Sequence, residues 1–194
     1  MEIKFETKSE SRKAYDMYVQ EHINNVRSAF DIFGLELCEL VIEKRNNKNI
    51  SDAKSLYYKV ENVLSSHDKS KYDIEEFDAY AAKFYTSKED NLNTIESDFN
   101  KAWEHHLSEN KHHPEYWCIT NNNNKIILIV SMSQVSFVEM ILDWISVSMC
   151  HKSSVLDWWN KSGRNEKSKL LRKSDFEIVD KWLNDNKDRL DFSS

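Results

Sequence analysis

Residues 15–41 read YDMYVQEHINNVRSAFDIFGLELCELV, and this stretch decides the fold class. Tyr15, Val19, Val26, Phe30, Phe33 and Leu37 recur at three- and four-residue steps, and His22 falls on the same stripe. Steps of that size put the residues on one face of a helix, which can continue through Leu40 and Val41. Asn46, Asn47, Lys48 and Asn49 then form a polar break. Ser51 or Asp52 can cap a second helix through Leu56, Val60, Val63 and Leu64. Asp73 is expected to cap a third, with Glu76 at the capping-box position and Phe77, Tyr80, Ala81 and Phe84 on its apolar side. A fourth spans residues 94–109, and Pro114 predicts a turn at His113.

Residues 116–130 carry the one convincing β signal. Apolar runs flank four consecutive asparagines, as in a hairpin with a polar tip. Ser131 or Ser133 starts a further helix through Val135, Val138, Ile141, Leu142, Ile145 and Met149. A short helix at residues 155–159 and a final one over 174–190 complete an all-α chain with one small β-hairpin.

Composition agrees. The 194 residues include two Gly and one Pro, where ordinary usage gives roughly fourteen and ten. Gly34 and Gly163 stand alone, so no glycine-rich phosphate loop can form, and Rossmann and P-loop chemistry are excluded. Six Trp, eight Tyr and nine Phe supply apolar surface for a core. The net charge of −6 argues against nucleic-acid binding and against anionic membranes. No apolar run approaches the roughly 20 residues of a membrane span. Cys38, Cys118 and Cys150 are odd in number and in no paired spacing, which reads as reduced thiols. With a polar N-terminus lacking a signal-peptide core, the expectation is a cytoplasmic protein. No linker or repeat divides the sequence, so one domain over residues 1–194 is expected, with a C-terminal extension from residue 151.

The chemistry concentrates on histidine. His22 lies on the first helix, and His67-Asp68 follows the second within His67-Asp68-Lys69-Ser70-Lys71. Lys71, three residues after Asp68, can share its side of a helical turn and hold an anion or protonate a leaving group. His105-His106 and His112-His113 place four imidazoles in nine residues. On a continuous helix His106 and His113 would share a face. Asp143 is flanked by Ile141, Leu142, Trp144 and Ile145, so a buried carboxylate there would need a cation or several donors. The other reading is an exposed Asp with Glu139 beside it. Imidazole and carboxylate together suit a divalent transition metal.

The order His22, His67-Asp68, His105-His106, His112-His113, Asp143 resembles the HD-domain superfamily of metal-dependent phosphohydrolases over residues 15–150. His67-Asp68-Lys69-Ser70-Lys71 is similar to the HD-x-G-K variant of the cyclic-dinucleotide phosphodiesterase and di-iron oxygenase branches, with Ser70 in the glycine position. The segment from Trp103 to Trp117, with Glu139-Met140 and Asp143-Trp144, also resembles an uncharacterised family of small bacterial and phage proteins. The resemblance implies an HD-like helical bundle. Its metal ligands would be His22, His67, Asp68, His106, His112, His113 and Asp143, with either member of each His pair open as a ligand. Two ions of Fe, Mn, Co, Ni or Zn are implied, with Asp68 bridging them and Lys71 toward the substrate. Two ions about 3.5–4 Å apart can clamp a phosphoryl oxygen and activate water. The expected function is therefore hydrolysis of a nucleotide or other small-molecule phosphate ester. A di-iron oxygenase, or a non-enzymatic binding protein on the same scaffold, are the alternatives. Trp158-Trp159 with Lys161, Arg164, Lys167, Lys169, Arg172 and Lys173 could take an anionic ligand or partner; the simpler reading packs the Trp pair on the core.

Overall fold

The computed structural model describes residues 2–45 and 52–193. The polar break expected at residues 46–49, and Ser51 as a cap, lie outside the described residues. The helices are α1 (Lys8–Lys44), α2 (Ala53–Leu64), α3 (Phe77–Phe84), α4 (Ile95–Glu109), α5 (Gln134–Cys150), α6 (Val155–Trp158), α7 (Arg164–Lys167) and α8 (Lys173–Asp185). A two-stranded antiparallel sheet of β1 (Cys118–Thr120) and β2 (Ile126–Ile129) is the hairpin. The fold is all-α with one small hairpin, as the periodicity predicts. No described helix is long and apolar enough to cross a membrane.

The chain groups into two compact units. The first holds Met1–Ile23 and His67–Asn110; the second holds Asn24–Ser66 and Lys111–Ser194. The chain changes unit three times, after Ile23, Ser66 and Asn110, each time within two residues of an expected site residue.

In the first unit, Tyr15, Val19, Tyr80, Ala81 and Ala102 are buried together, with Phe77, Phe99 and Trp103 packed against them. Tyr15 and Tyr80 stack at 5.9 Å, and Tyr80 meets the edge of Phe99 at 5.2 Å. Aromatic rings thus supply much of the area that this small core buries. Asp73 does not cap α3 with its side chain; its carbonyl accepts the backbone N–H groups of Glu76 and Phe77. The Glu76 side chain makes no capping bond either. Its partners lie on α4.

In the second unit, α5 is buried almost all round and centres a core with Phe33, Leu37, Leu56, Val60, Trp159, Val179 and Leu183. Such a helix shows little amphipathic patterning because neighbours cover every face. Asp52 caps α2 and Ser133 caps α5, each side chain accepting an N–H three residues on. In the hairpin, Ile119 pairs with Leu128 and a bulge follows. The Asn121 amide oxygen accepts from Asn123 and Lys125, and Asn124 takes a left-handed conformation, which explains the asparagine-rich tip.

Both glycines make room for rings. A Cβ at Gly34 would lie 2.4 Å from the Phe30 ring, and one at Gly163 would lie 2.9 Å from Trp158. Trp159 is fully buried in this core, so the Trp pair packs inward. Three of the basic residues that follow are paired with acids, Arg164 with Asp180, Lys167 with Glu115 and Lys173 with Glu177.

All three cysteines are free thiols, Cys38 buried and Cys118 and Cys150 half-buried. Burial pushes the Cys38 thiol up to about 12, so it stays protonated and shielded at ordinary pH. Iodoacetamide at pH 8 is expected to leave Cys38 unmodified in native protein and to label it in urea. Peptide mass mapping reads this directly, and labelling of native Cys38 at the rate of a free thiol would contradict its burial.

Candidate metal centre

The cluster in the first unit is built from three segments. His22 projects from α1. His67 and Asp68 occupy the turn before a 3-10 segment, Lys69–Tyr72. His106 lies in the last turn of α4. All four are buried, and Asp68 is 1 % exposed.

Asp68 has φ 55° and ψ 21°, the left-handed region that costs most L-residues energy. Aspartate tolerates it better than bulkier residues, and such strain concentrates at functional sites. The next turn is 3-10, in which residues three apart eclipse. That stacking brings Lys71 over Asp68, with Nζ 2.6 Å from Asp68 Oδ2.

The Asp68 carboxylate is the hub. Its Oδ2 lies 3.1 Å from His22 Nε2 and 3.6 Å from His67 Nε2, and its Oδ1 lies 3.5 Å from His106 Nε2. His22 Nε2 and His67 Nε2 face each other at 3.4 Å. Each of His22, His67 and Asp68 offers one ligand atom, and these atoms lie within 4.8 Å of one another. Imidazole nitrogens converging on one carboxylate out of water form an electron-rich pocket. A divalent ion relieves that crowding, and the N/O donor set suits a transition metal. These buried groups can hold a metal ion.

Of the first His pair, it is His106 that faces Asp68. His105 is partly exposed, and its Nδ1 lies 2.8 Å from Glu76 Oε1. The other Glu76 oxygen lies 2.9 Å from His106 Nδ1. Burial works to raise the Glu76 carboxyl, but the bonds from His106 and His105 together outweigh it and hold the group below the usual carboxylate range. The bond to Glu76 in turn raises His105. Asn110 Nδ2 donates to Ser70 Oγ at 2.7 Å and to the His106 carbonyl at 2.9 Å.

Glu76 was absent from the expected ligands because its position three residues after Asp73 mimics a capping box. Tyr15 and Tyr80, read as core residues, also border the site. Their hydroxyls are buried without a hydrogen-bond partner among the described residues. Burial first pushes both phenols upward; Tyr80, then Asp68 and Glu76, add to it at Tyr15, and Glu76, then Asp68, add to it at Tyr80, so both remain neutral.

The remaining expected ligands belong to the second unit. Helix α4 stops at Glu109 and Asn110 is extended, so His106 and His113 share no continuous helix. The His112 and His113 rings are 4.3 Å apart, and His112 Nδ1 lies 3.5 Å from Glu139 Oε1. Asp143 is buried one turn beyond Glu139 on α5, not on an exposed face.

The model of a family of unknown function, DUF5662, matches residues 11–185. No curated protein and no solved structure matches the chain.

Proposed function

Because the chain belongs to DUF5662, a family of unknown function, we propose its function from its own chemistry: a metal-dependent phosphohydrolase acting on a nucleotide or other small phosphate ester. The observation that carries this reading is the buried Asp68 carboxylate, which gathers His22, His67 and His106 nitrogens and the Lys71 ammonium. His22, His67, Asp68 and His106 would hold the metal. When bound, a divalent ion supplies Lewis acidity that polarises a phosphoryl oxygen and acidifies water.

The protein's own groups do the rest. Asp68 provides the negative charge that neutralises a cation in a buried site. Lys71 is 13 % exposed, so its ammonium stands at the edge of the cluster and can offset charge on an incoming phosphate. The resemblance to HD-type enzymes suggests two ions and makes nucleotides the substrate class to try first.

The test uses tag-free protein reconstituted with Mn(II) or Fe(II) and assayed for phosphate release from nucleotides, and for cleavage of bis(4-nitrophenyl) phosphate. Release that needs metal, proceeds without oxygen and vanishes in Lys71→Met and Asp68→Ala is the expected result. Metal-loaded protein that hydrolyses none of these esters, or turns over only in air, would overturn the reading.

A further inference from the structure

The most completely buried carboxylate of the first unit is not one of the expected ligands. Glu76 is 0 % exposed and spends each oxygen on a different histidine, Oε1 on His105 and Oε2 on His106. At 2.9 Å from Oε2, His106 Nδ1 is placed to donate to a carboxylate oxygen, which offers lone pairs. Asn110 Nδ2 also lies 3.1 Å from that nitrogen, farther than Glu76 Oε2 at 2.9 Å, and its two protons have nearer acceptors in Ser70 Oγ and the His106 carbonyl.

With Nδ1–H committed, a neutral His106 presents a lone pair at Nε2. That atom is the one 3.5 Å from Asp68 Oδ1. Trp103 stacks on the same ring at 5.6 Å and Tyr80 meets it edge-on at 5.9 Å, which blocks rotation to another pose. Ser70 Oγ lies 3.4 Å from His106 Nδ1 and accepts from Asn110. A glycine at position 70 could supply neither contact, so the serine of this chain belongs to the support of the histidine.

We propose that Glu76 is a positioning residue: it locks His106 in the Nδ1–H tautomer and aims the Nε2 lone pair at the place where the metal is held. This rests on the metal-site reading above. A hydrogen-bonded carboxylate behind a ligating imidazole fixes its orientation and raises its basicity, and losing such a partner costs about 10- to 100-fold in metal affinity.

Two measurements test it. In metal-free, 15N-histidine-labelled protein near neutral pH, long-range proton–nitrogen correlation reads the tautomer, with a His106→Gln sample identifying the His106 signals by their loss. Wild type is expected to show a protonated Nδ1 and a bare Nε2 at His106. The opposite tautomer overturns the proposal without any variant having to fold. Mn(II) and Zn(II) affinities are then measured by chelator competition in wild type, Glu76→Gln and Glu76→Asp. A loss of about 10- to 100-fold in Glu76→Gln, partly restored in Glu76→Asp, is expected. Wild-type affinity in Glu76→Gln overturns the proposal while leaving the metal site intact. Failure of wild type to bind either ion sinks the metal reading instead, and the tautomer result still decides the role of Glu76.

Discussion

Asp68→Asn is expected to reduce metal-dependent turnover to background. The substitution keeps the size of the side chain and removes its charge. Three histidine nitrogens and the Lys71 ammonium converge on this carboxylate. Losing a residue that merely supports a ligand costs about 10- to 100-fold in metal affinity or activity, so losing the anionic hub should cost more than about 100-fold. An asparagine oxygen accepts hydrogen bonds but cannot neutralise a divalent ion. Phosphate release at matched protein and added-metal concentrations gives the number, and circular dichroism confirms that the variant is folded. Turnover within about threefold of wild type would remove Asp68 from the chemistry.

Trp159→Ala is expected to destabilise the second unit by about 3–5 kcal/mol. Trp159 is fully buried, and its ring stacks on Phe176 and contacts Trp144 and Trp158. Its Nε1–H donates to Asp180 at 2.8 Å. Truncation leaves a large void that helices on several sides cannot close, and it removes a donor from a carboxylate that Arg164 alone must then satisfy. A urea midpoint shifted downward with little change in slope reads the effect. Ile74 is 91 % exposed, so Ile74→Ala should stay within about 0.5 kcal/mol and serves as the control. A Trp159→Ala midpoint equal to that control would contradict the packing described.

Helix α1 was legible because the 3.6-residue period is a local property of the chain. The hairpin was legible for the same reason, from strand-forming runs around an asparagine tip. Pairing at longer range was not. Glu76 occupies a capping-box position in sequence, yet its carboxylate crosses to α4, and nothing local distinguishes those fates. His105 and His106 are adjacent and lie about 100° apart on a helix, so only packing decides which one faces Asp68. The left-handed turn at Asp68 carries no glycine to announce it. The start of α8 was read within one residue, but its end was not: the last turn, Lys187–Leu190, tightens into a 3-10 segment after a break at Asn186. The sequence singles out His22, His67, Asp68 and Lys71 because few side-chain types suit a transition metal or an anion, and the structure brings these four together.

The central claim is that the first unit's cluster holds a divalent transition metal through Asp68. Elemental analysis of protein purified without a histidine tag, wild type against Asp68→Ala, tests it most directly. Fe, Mn, Co, Ni or Zn bound in wild type and lost in the variant is the result this account predicts. No metal in wild-type protein, and none taken up on soaking, would contradict it.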